Sequence, residues 1–430
     1  MTVPDPYFPQ HGDHRYGVAH YDLSLTCRLD GNRLDGRAQL QVVAHEPLTS
    51  LELDLGAFTV TGVSVDGRKA RYRHRHHRLR VEMPVPVEAG GEARLSIGYR
   101  GSPKPMPGVL GDAGWEELDD GVIVAAQPYG APSWFPCNDR PDDKATYAFA
   151  VSAPTGYTVV ANGRLQETRR SANAVTWSYR QDEPMAPYLA TVSIGRYAVQ
   201  RLDATVPMTV LVPSDRHVEL PASFRRQPEM LATFTDLFGP YPFSSYTVVV
   251  TADDLEIPLE SQSVSTFGAN YLVDEWSSER LVAHELAHQW YGNAVTAGGW
   301  DDIWLHEGFA CYAEWLWSEA SGRESAAEHA RHHWDRLAAL PQDLVLGDPG
   351  AADMFDDRVY KRGALLLHTL RRRVGEEAFR SVLRTWVERH RYGNAGTPEL
   401  RALVAEIAAD PAEDLFTDWL EKAALPALPA

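Results

Sequence analysis

The chain is predicted to be an α+β protein of two domains, an all-β domain over residues 1–197 and a mostly helical domain over 198–430. Up to about residue 197, apolar and polar residues alternate at period two, with Asp-Gly and Asn-Gly breaks suited to antiparallel hairpins. Beyond that point the apolar spacing lengthens to the three-to-four-residue period of helices facing a core. A third observation places chemistry in the helical half. His284-Glu285-Leu286-Ala287-His288 is followed, after eighteen intervening residues, by Glu307.

In chain order, residues 39–43, 58–60, 94–99 and 157–163 are expected strands, and 189–195 the last strand of the β domain. Residues 218–238 carry helical spacing and stop at Gly239-Pro240. Residues 246–250 form a run of β-branched and aromatic residues, a strand, and 256–261 are expected to be another. From Ser277 onwards the chain is mostly helical, interrupted at Gly298-Gly299, Ser321-Gly322, Pro349-Gly350 and Gly393-Asn394. A small sheet beside a helical metal-binding core predicts a thermolysin-like catalytic domain.

Positions i and i+4 of a helix lie one above the other, so His284 and His288 present two imidazoles on one face. Glu307 stands in Trp304-Leu305-His306-Glu307-Gly308-Phe309-Ala310, whose apolar spacing continues through Tyr312, Trp315 and Leu316. A second helix would thus bring a carboxylate to the two imidazoles. Two His and one Glu make a three-ligand zinc site with an open fourth position, the arrangement of catalysis rather than of structural zinc. Glu285, one residue round from His284, can act as general base without being a ligand. The pentapeptide alone arises by chance; the second-helix glutamate makes the pattern a zinc hydrolase signature, with one Zn²⁺ per chain. Asp302 and Glu314 are the candidates to accept a hydrogen bond from a ligand histidine.

Four ordered segments resemble the gluzincin aminopeptidases, the family of aminopeptidase N and leukotriene hydrolase. The pentapeptide, its gap and the Glu-Gly-Phe-Ala that follows form the first. Ile257-Pro258-Leu259-Glu260-Ser261 stands where the family carries Gly-X-Met-Glu-Asn, and Gln127 opens a stretch similar to the family's Gln…Phe-Pro-Cys-X-Asp segment. Val359-Tyr360-Lys361-Arg362-Gly363 is similar to its Tyr-X-Lys-Gly. The resemblance implies a saddle-like N-terminal β domain, a zinc catalytic domain, and a short form lacking the helical C-terminal domain of many members. It implies that Glu260, partnered by Gln127, holds the free α-amine of a peptide, and that Tyr360 stabilises the tetrahedral intermediate. The expected activity is removal of N-terminal residues from peptides with a free N-terminus. Departures are Ile257 and Pro258 in place of small residues, Ser261 in place of asparagine, and His306 before the zinc glutamate. Proline removes one N–H from a strand expected to pair with substrate backbone. His306 is expected to be a second-layer or helix-surface residue. An endopeptidase or specialised amidase using the same zinc core, and a non-catalytic peptide-binding relative, are the alternative functions.

Bulk properties narrow the partners. With 41 basic and 59 acidic residues the formal charge is −18, which argues against nucleic acid or an anionic membrane as partner. Three scattered cysteines are too few for a disulfide framework. The start lacks a basic, then apolar, leader and no apolar run reaches membrane-spanning length, so the expected protein is cytoplasmic, a monomer or small homo-oligomer. The basic run at 73–78 is expected to be a solvated hairpin strand with His74 and His76 on one face, and His329 and His333 are expected at the surface.

Overall fold

The structure is a computed structural model that describes residues 4–214 and 219–428; Met1, Val218 and Ala430 lie outside the described residues. The chain forms two compact units, one of residues 1–201, 209–218 and 243–270, the other of 202–208, 219–242 and 271–430. A single cut at residue 197 does not describe this grouping.

The first unit is β-rich. Its eight-stranded sheet runs in the order Arg164–Arg170, Ala174–Met185, Ala145–Pro154, Tyr16–Arg28, Arg33–Ala44, Glu92–Gly101, Thr59–Val65, Arg68–Lys69. The pairs are antiparallel apart from Tyr16–Arg28, which lies parallel to Ala145–Pro154. In Tyr16–Arg28 the buried set passes from Tyr16 and Val18 to Tyr21, Leu23 and Leu25, because a bulge between Val18 and His20 shifts the alternation by one residue. Val192–Gly195 is not the last strand. Tyr197–Leu202, Met208–Pro213, Tyr246–Val250 and Val264–Phe267 form a further four-stranded sheet. Tyr197–Leu202 is exposed or half-buried throughout, so it lacks the apolar alternation that marks a strand in sequence.

Two further expectations are corrected here. Residues 256–261 form no strand; only Leu259 joins a ladder, through paired 2.9 Å bonds with Thr266. Pro258 has no N–H to donate, and Ser263 at φ 62° reverses the chain. In the basic run, Tyr72–Arg75 pairs with Arg78–Val87, and His76 and His77, at φ 49° and 59°, make the two-residue turn. Both central residues at positive φ define a type I′ turn, so His76 does not share a strand face with His74. His74 is half-buried, its ring nitrogens 3.1 and 3.0 Å from the carbonyl oxygens of Phe58 and Leu55.

The second unit is helical: α1 (Ala222–Arg225), α2 (Gln227–Phe238), α3 (Trp276–Ala287), α4 (Trp304–Ala320), α5 (Ala326–Ala338), α6 (Asp357–Val374), α7 (Glu376–His390), α8 (Thr397–Ile407) and α9 (Glu413–Leu420). The single helix expected over 218–238 is broken at Arg226; Pro228 has no N–H to donate to the Phe224 carbonyl, which accepts instead from Nε2 of Gln227 at 2.9 Å. In α4 every residue from Trp304 to Ser318 is buried, which makes it the central helix. A Cβ added at Gly308 of α4 would lie 2.8 Å from the Cα of Gly363 of α6, so these two helices cross backbone against backbone. His329 is buried and His333 half-buried, where both were expected at the surface. Their rings stack on Trp315 at 6.2 and 5.3 Å, and burial pushes His333 down to about 3. No helix among the described residues is long and apolar enough to cross a membrane.

Candidate metal centre

The candidate metal ligands come together from α3 and α4. Although α3 ends at Ala287, the His288 N–H still donates to the His284 carbonyl at 3.1 Å, which keeps the two imidazoles one turn apart on one face. Glu307 lies in the first turn of α4. The Nε2 atoms of His284 and His288 each stand 3.4 Å from Oε2 of Glu307. Among the described residues these three are the one group of histidine, cysteine and acidic side chains placed to hold a metal ion. Zinc bonds nitrogen and oxygen ligands at roughly 2.0–2.2 Å, and the edge of a tetrahedron of that radius is roughly 3.3–3.6 Å. The donor types and their separations therefore fit zinc, and three protein ligands leave one corner for water or substrate.

The surrounding side chains orient the donors. Nδ1–H of His284 donates to Oε1 of Glu314 at 2.8 Å, which turns the lone pair of Nε2 towards Glu307. Of the two acids considered from sequence, Glu314 takes this part. Asp302 instead accepts from the backbone N–H of Thr397 at 3.0 Å and from its hydroxyl, and so caps α8. Burial alone would push the Glu314 carboxyl up. The Lys361 ammonium and the Arg280 guanidinium, whose Nη1 is 3.1 Å from Oε2, outweigh it and hold Glu314 well below the usual carboxylate range. His288 is fixed by donation from Nδ1 to the Tyr291 carbonyl at 3.0 Å. Gly292, at φ +115°, makes room beside it: an added Cβ would come 3.2 Å from Nδ1 of His288. His306 is buried, and its Nε2 accepts from the Ala297 N–H at 2.8 Å, so it pins the loop before α4 rather than lying on the helix surface.

Glu285 is only 3 % exposed and sits on the same turn as His284. Tyr360, in the first turn of α6, lays its ring against that of His284, centroids 6.0 Å apart and planes 23° from parallel. The contact of Gly308 with Gly363 sets how closely α6 approaches α4. Gly308 follows Glu307, Gly363 lies one turn after Tyr360, and only hydrogen side chains let the two backbones meet.

The two residues expected to bind an amine belong to the first unit, where Gln127 and Glu260 line one small pocket with Tyr188 and Leu259. Glu260 is held in place by the turn that follows it. Nδ2 of Asn162 donates to the Gln262 carbonyl at 2.7 Å, and the Gly163 N–H donates to the Ser263 hydroxyl at 2.8 Å. In sequence, Asn162-Gly163 reads only as a hairpin break; the buried asparagine side chain that anchors the Glu260 segment gives no separate signal. Tyr188 gives none either, because it falls in a 3-10 turn with no periodicity. Ile257 projects into solvent, 65 % exposed, while Pro258 is buried.

A zinc-type centre on two packed helices, in a chain that also carries a β-rich unit, defines a metallohydrolase of the His-Glu-X-X-His class. The chain belongs to peptidase family M1: the peptidase family M1 domain matches residues 223–419 and the peptidase M1 N-terminal domain matches residues 18–189. The M1 zinc metallopeptidase of Deinococcus radiodurans is 32% identical with a TM-score of 0.91, each chain covered completely. A mutant of that protein, solved bound to a Tyr-Ser-Ala substrate, superposes with a TM-score of 0.92 at 31% identity, again over 100% of both chains. Aminopeptidase M1 of Arabidopsis thaliana is 26% identical over 332 residues, 72% of this chain and 38% of that protein. The leucyl aminopeptidase of Saccharolobus solfataricus is 26% identical over 71% of this chain and 42% of its own length. The chain thus spans well under half the length of these two curated relatives.

Proposed function

We propose that this chain is a zinc-dependent aminopeptidase that hydrolyses the first peptide bond of peptides with a free N-terminus. The observation that carries the hydrolase part is the triangle of His284, His288 and Glu307 donors with Glu285 on the same helical turn. When bound, zinc supplies a Lewis acid that polarises a carbonyl and makes water a nucleophile near neutral pH. Glu285 accepts the proton of the attacking water and passes it to the leaving amine. The Tyr360 hydroxyl donates to the oxygen on which negative charge develops, a contact that strengthens only in the transition state. Glu314 keeps His284 in one tautomer and one orientation throughout.

The exopeptidase part rests on Glu260 and Gln127 sharing one pocket, where a carboxylate and an amide oxygen can take the N–H groups of an ammonium. An endopeptidase gains nothing from such a pair. The Deinococcus relative was solved bound to a Tyr-Ser-Ala substrate. The proposal includes a cytoplasmic monomer or small homo-oligomer without nucleic-acid or membrane partners, in keeping with a net charge of −18.

The test compares kcat/KM on an aminoacyl amide with a free and with an acetylated N-terminus, for wild type and Glu260→Ala. One charge-assisted contact contributes about 1.5–3 kcal/mol, about ten- to a hundredfold in kcat/KM. The loss should fall on the free-amine substrate. A wild-type ratio of free to acetylated rates near one would make Glu260 a structural residue and the enzyme an endopeptidase or amidase.

A further inference from the structure

Arg362 is a buried guanidinium, 3 % exposed, in the first turns of α6, two residues after Tyr360. Buried cations are ordinarily matched by carboxylates. Among the described residues this one is not: its two terminal nitrogens bond four backbone carbonyls. Nη1 donates to Leu344 at 2.8 Å and to Ala423 at 2.7 Å; Nη2 donates to Lys422 at 2.9 Å and to Trp419 at 3.4 Å. Nε is buried without a hydrogen-bond partner among the described residues. Burial pushes the guanidinium down to about 10, and the charge that adds to this is Arg358, of the same sign.

An apolar side chain of similar volume would fill the space without the cost of desolvating a charge. What the guanidinium adds is a planar fork of fixed geometry. Its acceptors are the last turn of α9, the residues just after it, and the segment before α6, so the fork ties α6 to two neighbouring pieces of chain. Arg362 lies about 200° round the helix from Tyr360. About 100° further round, Gly363 meets Gly308 and sets how closely α6 approaches α4. That glycine contact fixes the distance to α4, and Lys361 Nζ donates to Cys311 Sγ of α4 at 3.2 Å, whereas the Arg362 fork ties the same turn of α6 to chain outside α4.

We propose that Arg362 is a positioning residue for Tyr360: its fork onto the carbonyls of residues 344 and 419–423 sets the axial position and roll of the first turn of α6, and so where the Tyr360 hydroxyl stands relative to His284. This deepens the aminopeptidase reading and rests on the role given there to Tyr360.

The test is a double-mutant cycle on the full chain, with kcat and KM on a free-amine aminoacyl amide, zinc content by elemental analysis and the thermal midpoint. Arg362→Gln should lower kcat about tenfold while KM and zinc content stay within about twofold, because the Tyr360 hydroxyl serves the transition state and not the bound substrate. In the Tyr360→Phe background the same substitution should cost less than about twofold, since the group it positions is gone. Arg362→Lys keeps the charge but not the fork. It should fold where the glutamine variant does not, and should show the same dependence on Tyr360 at about threefold. Equal decreases in the two backgrounds, or an effect confined to KM or to zinc content, would overturn the proposal while leaving Tyr360 its role. Wild-type kcat in Tyr360→Phe alone would instead overturn the role of Tyr360, and the positioning proposal with it.

Discussion

Gly308→Ala isolates the contact that spaces α4, which carries Glu307, from α6, which carries Tyr360. The added Cβ would lie 2.8 Å from the Cα of Gly363 and 3.0 Å from its carbonyl carbon; the reciprocal Cβ at Gly363 would lie 2.7 Å from the Cα of Gly308. Carbon atoms rest at about 3.5–4.0 Å, so the helices must part by roughly 0.7–1.2 Å. Both obstacles are backbone, and no rotamer change relieves them. Overpacking of this kind costs about 1–3 kcal/mol. Alanine returns about 0.8–1 kcal/mol of helix propensity, leaving a net destabilisation of roughly 0–2 kcal/mol. In a unit of this size that is a fall of about 0–8 °C in thermal midpoint.

Catalysis is the more sensitive readout. A displacement of about 1 Å in a positioned group costs on the order of a hundredfold in rate. Gly308→Ala should therefore lower kcat on a free-amine aminoacyl amide far more than it lowers the midpoint. Gly363→Ala should behave alike, and the double variant should be less than additive, because one separation of the helices accommodates both methyl groups. Gly298→Ala is the control, since a Cβ there meets nothing within 4 Å. Wild-type kcat in Gly308→Ala, or full additivity of the two substitutions, would refute the reasoning.

Three further outcomes follow from the centre itself. His288→Ala should purify with far less than one zinc per chain by elemental analysis, and equal zinc in variant and wild type would remove His288 from the ligand set. Glu314→Gln should keep the ligands but weaken zinc affinity about ten- to a hundredfold in a chelator competition, through loss of the carboxylate that holds His284; unchanged affinity counts against that part for Glu314. Glu285→Gln should hold zinc normally and lose on the order of a hundred- to ten-thousandfold in kcat, and turnover at wild-type level with zinc bound would show that Glu285 is not the base.

How far these features are legible in the sequence depends on the range over which each is determined. His284, Glu285 and His288 are local: the i, i+4 relation within one helix places them, so five residues suffice. Glu307 needs only the further inference that a second amphipathic segment packs on the first. The β-rich and helical halves are legible because burial imposes period two on one and three-to-four on the other. Tyr197–Leu202 escapes because it buries no face completely and so carries no period. Residues 256–261 have the composition of a strand, whereas a proline without an N–H and a serine in the left-handed region turn the segment into a reversal.

The features that hold the centre together are determined at long range, and no local pattern encodes them. Glu314 and Asp302 are equal candidates from sequence, since each is an acid close in sequence to Glu307. What separates them is that Asp302 meets a helix start 95 residues away, whereas Glu314, seven residues on from Glu307 along α4, comes to face α3. His306, beside Glu307, reads from sequence as a second-layer or helix-surface residue, and only the fold shows that its Nε2 accepts from the Ala297 N–H. The same holds for Gly308 and Gly363. Each is part of a motif, but the reason for a glycine at either position appears only when the two are seen to touch. An acid, a tyrosine and two glycines thus belong to one physical object, a helix crossing that leaves Glu307 and Tyr360 both beside His284, and any substitution that widens the crossing acts on both at once.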